Sequence, residues 1–240
     1  MVRLMNSPSA ENYLKALYQL QSEGSDVSTS ALADALNVSA ASATNMVKKL
    51  AAQKLVRHSP YQGVELTVRG EKAALEVIRH HRLVELFLAK TLGVPWDRVH
   101  VEAEKIEHVL SEELEDRIAT FLGEPTEDPH GDPIPTKAGH VPAPAHTSLA
   151  DLTSGDSAVI RRIGDQNPEH LRHFSNLGLI PNANVDVIFR EPFGGPLRLR
   201  VPSGAEHILA ETLARGIYVA PKARAARRAP RKDHAAQVQS

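Results

Sequence analysis

The chain has 240 residues, 42% hydrophobic and 24% charged, enough for two or three small cores rather than one large one. It contains no cysteine, which excludes disulfides, thiolate zinc sites and a cysteine nucleophile, so any metal must be held through nitrogen and oxygen. The net charge of −1 hides an asymmetry: residues 1–72 carry eight Lys/Arg against six Asp/Glu, 74–128 six against thirteen, and 221–240 six against one, which assigns different partners to different segments.

At the N-terminus MVRLMNSPSAENY offers no apolar leader, and no run of about eighteen apolar residues follows, so a cytoplasmic chain with no membrane partner is expected. Ser7-Pro8 is a helix cap followed by proline at the first helical position, and Tyr13, Leu14, Leu17 and Tyr18 recur at helical spacing until Gly24. Ser28 caps a short helix over 29–36, Asn37-Val38-Ser39 makes the turn, and Ser39 caps a third helix over 40–53. Short β-type runs at 55–57 and 64–67 flank Pro60-Tyr61-Gln62-Gly63. Helix, helix, turn, helix, hairpin is the order of a winged helix-turn-helix, expected over 1–73.

From Val68 a helical pattern runs through Ala73, Leu75, Val77, Ile78, Leu83, Leu86 and Phe87 to Leu92, where Gly93 stops it. Pro95 opens another helix, and Ser111 with Glu112 and Glu113 caps one more that ends at Gly123. These amphipathic helices are too apolar to stay solvated alone, which predicts a homodimer interface within a helical domain over 74–146. The stretch 124–148 holds six prolines and two glycines and reads as a linker. Runs at 157–163, 185–189 and 197–201, with turns such as Phe193-Gly194-Gly195-Pro196, predict a small barrel over 147–220. The basic tail 221–240 has almost no large apolar residues and is expected to be disordered. The fold class is therefore mainly α with small β parts.

The third helix begins SAASATNMVKKL. Ser39, Ala40, Ala41, Ser42, Thr44 and Asn45 form a small, polar N-terminal half, as major-groove entry requires, because large side chains would hold the helix off the base edges. Lys48 and Lys49 follow one turn later, placed for phosphates, while Val47 and Leu50 face inward. A solvated alanine-rich helix could share this composition; the turn before it and the wing after it favour DNA reading.

In the acidic middle, His100, Glu104, Glu107 and His108 fall at i, i+4, i+7 and i+8, within roughly a 100° arc of one helix face. His81 and Glu85 form a second i, i+4 pair on the preceding helix. Packed together, the two helices would gather carboxylates that repel one another unless a divalent cation joins them. An acidic solvated helix is the alternative, since Glu102, Glu112, Glu113 and Glu115 show how common glutamate is here. Oxygen-rich ligation with imidazole and no sulfur suits Mn(II) first and Fe(II) second; Zn(II), Co(II) or Cd(II) can substitute in vitro.

From about Ser9 to Val219 the chain resembles the diphtheria toxin repressor family of metal-dependent transcriptional regulators. The matching motifs are AENYLKALYQL, VSAASATNMVKKL, RHHRLVELFL, VHVEAEKIEHVLSEELEDRI and DPHGDPIP at 128–135. The resemblance implies a homodimer that binds palindromic operator DNA when loaded with Mn(II) or Fe(II), represses metal-uptake genes, and ends in an SH3-like domain shared with small ferrous-transport proteins. It also implies an ancillary metal site of His81, Glu85 and His100 and a primary site of Asn12, Glu104, Glu107 and His108. Glu104 stands where iron-type members place cysteine, as in manganese-type members. Two positions depart from the pattern: Asn12 replaces a methionine or aspartate, with Glu11 able to stand in, and Lys15 replaces a carboxylate of short manganese-type members. Glu169 and His170 fall near positions that complete the ancillary site in longer members. The rival readings are a metallohydrolase, disfavoured because no HExxH pattern or separate general base appears, and a metal-transport accessory, which would leave the N-terminal half unused. No small organic substrate is expected.

Overall fold

Ser7 opens α1 (Pro8–Ser22) as expected, its Oγ accepting from the Ala10 amide at 3.4 Å. In the computed structural model, residues 7–22, 24, 27–59, 63–142 and 147–222 are described. The wing tip at 60–62 and nearly all of the basic tail therefore lie outside the described residues. Ser28 and Ser39 cap α2 (Thr29–Ala35) and α3 (Ala40–Ala52). The wing consists of β1 (Val56–Ser59) and β2 (Gly63–Leu66), antiparallel with Val56 opposite Leu66. Leu14, Leu17, Leu32, Val47, Leu50, Leu55 and Val64 fill one core beneath these elements. Each such side chain contributes about 1.5–3 kcal/mol when removed from water.

Thr67 caps α4 (Val68–Leu92), accepting from Gly70 N at 3.1 Å, and Gly93 ends it in the left-handed region at φ 66°. Gly70 is dictated by close approach: a Cβ there would lie 1.9 Å from the Leu55 carbonyl oxygen.

Two expectations about the next segment are corrected. Pro95 starts only a turn, its carbonyl accepting from Arg98 N and Val99 N, and regular helix begins with α5 (Val99–Ile106). That helix stops at Ile106 and tightens into a 3₁₀ turn, Glu107–Val109, so His100, Glu104, Glu107 and His108 do not share one α-helical face. Leu110 is buried in an extended conformation, and drawing it into the core breaks the helix before Ser111 caps α6 (Glu112–Phe121). Leu83, Val84, Val99, Ala103, Leu110, Ile118 and Ile134 make the second core.

The 124–142 part of the expected linker is a packed strap. Asp128 Oδ1 accepts from the amides of His130 (2.8 Å) and Asp132 (2.9 Å), Arg82 and Arg79 donate to the Pro133 and Pro135 carbonyls, and Ile134 is buried. Its prolines remove donors that would otherwise need partners, so such a chain can be buried cheaply.

The chain divides into two compact units, one of residues 1–144 with 163–173 and one of 145–162 with 174–240. The second holds a six-stranded sheet, order β3-β8-β4-β5-β6-β7, from β3 (Thr147–Ser148), β4 (Ser157–Ile163), β5 (Asn184–Arg190), β6 (Leu197–Arg200), β7 (Glu206–Leu209) and β8 (Ile217–Pro221). Ala158, Ile160, Val185, Val187, Leu197 and Leu199 alternate into its core, and a bulge falls between Val187 and Phe189. Two helices absent from the sequence reading, α7 (Pro168–Asn176) and the short α8 (Glu211–Ala214), interrupt the strands. Among the described residues no helix is long and apolar enough to cross a membrane.

Candidate metal centre and DNA-reading surface

His81 and Glu85 stand one turn apart on α4, and His100 and Glu104 one turn apart on α5; packing of the two helices brings all four together. Glu85 Oε1 lies 3.0 Å from His81 Nε2 and 3.2 Å from His100 Nδ1, and the imidazoles meet edge to face with ring centroids 4.7 Å apart. His81, His100 and Glu104 each offer a ligand atom within 4.8 Å of the others. The second nitrogen of His81, Nδ1, bonds Glu107 Oε2, which orients the ring so that Nε2 faces the centre. Burial opposes a charge on His81, but the carboxylates of Glu107 and Glu85 outweigh it and push its pKa up to about 9. Burial likewise opposes ionisation of Glu85, yet His100 and His81 hold its carboxyl below the usual range. A cluster that gains this much from positive charge on its ring nitrogens is chemically suited to a divalent cation, and its donor set fits one.

The second expected set behaves differently. The 3₁₀ turn directs His108 Nδ1 to Glu11 Oε2 at 2.6 Å, so Glu11 and not Asn12 makes the contact from α1. Asn12 Oδ1 is buried without a hydrogen-bond partner, which is the state of an unused ligand oxygen. Between Glu104 Oε1 and Glu107 Oε1 lies the Lys15 ammonium, 2.5 Å from the first and 2.8 Å from the second. Glu104 and Glu107 therefore flank a position that already carries a positive charge, and the set they were expected to form with Asn12 and His108 does not fit a metal ion while Lys15 stays there.

A third group was missed by residue spacing. Glu85, Asp128 and His130, all buried, offer atoms within 4.8 Å of one another. With His130 Nε2 bonded to the Trp96 carbonyl at 2.9 Å, Nδ1 is left without a hydrogen-bond partner, 3.9 Å from Glu85 Oε2. A buried ring nitrogen and a carboxylate oxygen facing each other form a donor set that a cation can bridge. Burial, with Asp132 and Glu85 nearby, raises the Asp128 carboxyl well above the carboxylate range. The signal was present in DPHGDPIP, whose aspartate and histidine are masked by the prolines around them.

Glu169 and His170 bond locally, Glu169 N to Asn167 Oδ1 at 2.9 Å and His170 Nδ1 to Asp165 Oδ2 at 2.6 Å, and neither belongs to these groups. Glu76, His80 and Glu112 form a further group, but His80 is already paired with Glu115, which also accepts from Arg79.

On α3, Ser39, Ala40, Ala41, Ser42, Asn45, Lys48 and Lys49 are exposed, while Ala43, Val47 and Leu50 are buried. Ser39 Oγ is engaged as the cap, and half-buried Thr44 donates its hydroxyl to the Ala40 carbonyl. The Ser42 hydroxyl is bonded to Ser39 Oγ at 2.9 Å, and Ala41 and Asn45 are exposed with Lys48 and Lys49 on the same helix.

A winged helix-turn-helix joined to helices bearing a nitrogen-and-oxygen cation centre defines a metal-responsive DNA-binding regulator. Three family descriptions match the chain: "Iron dependent repressor, N-terminal DNA binding domain" over 5–64, "Iron dependent repressor, metal binding and dimerisation domain" over 67–136, and "FeoA domain" over 147–221. The iron-dependent repressor IdeR of Mycobacterium tuberculosis is 30% identical over 223 residues, covering 88% of this chain and 96% of that protein. A solved manganese-dependent transcriptional repressor in complex with manganese is 41% identical, covers 89% of this chain and all of its own, and superposes with a TM-score of 0.82. The repressor ScaR with bound Cd2+ is 31% identical over 88% of this chain and 98% of its own, TM-score 0.75. The chain belongs to the iron-dependent, or diphtheria toxin, repressor family. It is a metal-dependent DNA-binding transcriptional repressor and a homodimer, with an SH3-like FeoA domain; the hydrolase and transport-accessory readings are not favoured.

Proposed function

We propose that this chain is a Mn(II)-activated repressor, with Fe(II) as the second effector, that binds palindromic operators and controls metal-uptake genes in the cytoplasm. It works through three domains, 1–73, 74–146 and 147–220. The observation that carries the metal assignment is the convergence of His81, Glu85, His100 and Glu104, imidazole and carboxylate with no sulfur, a donor set suited to Mn(II). The manganese in the 41% identical repressor agrees with it. Glu85, Asp128 and His130 are proposed as a second, deeper site. A bound cation supplies the positive charge that draws these carboxylates together and ties α4 to α5. Asn45, Ser42 and Ala41 read bases, and Lys48 and Lys49 hold phosphates. Exposed Leu114, Phe121, Val101 and Val109 supply the apolar surface of the dimer, whose two recognition helices must sit about one turn of duplex apart.

Fluorescence anisotropy with upstream genomic fragments, titrating Mn(II), Fe(II) and Zn(II) anaerobically, tests the effector and the partner together. Metal should raise operator affinity at least tenfold in the wild type and not in His100→Ala or Glu104→Ala; undiminished stimulation in both variants refutes the assignment.

A further inference from the structure

We propose that Lys15 is a resident cation that takes the place of one metal ion, clasping α1 to the 104–108 segment with this chain's own ammonium. The proposal builds on the His81/Glu85/His100 centre and adds a limit on how many ions the subunit takes.

Lys15 lies mid-way along α1, one turn after Glu11, and is only 8% exposed. A lysine is seldom that buried unless it is paired. Here two carboxylates pair it, Glu104 Oε1 at 2.5 Å and Glu107 Oε1 at 2.8 Å. A divalent ion held jointly by Glu104 and Glu107 would have to share those oxygens with the ammonium, and two cations at hydrogen-bond distance repel strongly in a buried site. Glu104 Oε1 also faces His100 Nε2 at 3.8 Å, but His81, Glu85 and His100 meet without Lys15, so the resident cation leaves those three donors to an ion at the α4–α5 centre.

The neighbouring contact points the same way. Glu11, on the same face of α1, pairs with His108 at 2.6 Å. The first helix thus meets the 104–108 segment at two points, through the Lys15 ammonium between two carboxylates and through the hydrogen bond of Glu11 with His108. Metal control then falls on the α4–α5 centre, and the subunit carries one ion fewer than its carboxylates could support. Asn12 Oδ1, buried and without a hydrogen-bond partner, is the oxygen that an added ion would bring into use once the ammonium is removed.

The test counts ions on the full-length chain, by equilibrium dialysis against Mn(II) with metal analysis, in wild type, Lys15→Glu, Lys15→Gln and Lys15→Arg. K15E should gain one Mn(II) per subunit over wild type, and K15R should keep the wild-type count. Without metal, K15Q should melt below wild type, and saturating Mn(II) should raise its Tm by more than it raises that of the wild type. Equal counts in wild type and K15E overturn the proposal, because Lys15 would then be swinging aside for an ion. If K15E fails to fold, the K15Q count decides in the same way. The α4–α5 centre is judged separately, by the wild-type count and its loss of an ion in His100→Ala. A wild type that binds no Mn(II) sinks that reading, while a gain on substituting Lys15 would still support the resident cation.

Discussion

His81 Nε2 and His100 Nδ1 lie 3.0 Å apart across the α4–α5 interface. At that distance the two lone pairs can share one proton or one cation, and the surrounding carboxylates favour positive charge of either kind. Protons and metal ions therefore compete for the same place.

That competition has a direction. The pKa of His81 is pushed up to about 9 in the metal-free fold, against an ordinary value of 6.5. A raised folded-state pKa contributes stability that is complete below about 6.5 and is lost as pH climbs through about 9. The metal-free chain should thus lose Tm between these pH values, and His81→Gln should flatten the loss. Metal needs the neutral ring, so loading at pH 7 expels the proton. Calorimetry in buffers of different ionisation enthalpy should read about one proton released per ion at this centre; no release at pH 7 would refute the assignment of His81.

Among the described glycines of the DNA-binding half, Gly70 has the least room for a side chain. Alanine there would place its methyl 1.9 Å from the Leu55 carbonyl oxygen, a backbone atom that cannot turn aside. Gly70→Ala should cost about 1–3 kcal/mol or more in urea unfolding and displace the wing from α4. A change under about 0.5 kcal/mol, the range of a neutral surface substitution, would show that the junction yields.

What local sequence could reveal was set by reach. Caps act within three residues, so Ser28, Ser39, Thr67 and Ser111 mark their helices, and the pairs His81/Glu85 and His100/Glu104 follow from one helical turn. The break at Ile106 was hidden because no glycine or proline announces it; burial of Leu110, a tertiary event, causes it. Asp128 and His130 sit in a proline-rich stretch whose composition describes a loop without saying that the loop is packed. The contacts of Lys15 span 89 and 92 residues, beyond any local pattern, so a substitution that looked like the loss of a ligand is an ion pair in the fold.

On α3 the division of labour can be measured. Lys48→Ala and Lys49→Ala should each weaken binding about equally on all sequences and reduce the slope of log affinity against log salt by about 1. Asn45→Ala should cost about 1–3 kcal/mol on the cognate operator and far less on random duplex. If Asn45→Ala weakens both alike, Asn45 positions the helix and does not read bases.

Glu85 gives the sharpest separation of the two proposed ion sites, because it belongs to both. Its Oε1 faces His81 and His100, and its Oε2 faces His130. Glu85→Gln keeps the shape but removes the charge, leaving two imidazole systems and Asp128 with a neutral amide between them. Mn(II) affinity should fall about 10–100-fold at each site, the range expected when a ligand or its supporting partner is altered. His130→Gln should weaken only the deeper site and leave the proton release at the outer centre intact. If Glu85→Gln and His130→Gln prove indistinguishable in a two-site Mn(II) isotherm, Glu85 does not serve both sites; an independent loss on each side of the carboxylate would place it between two ions.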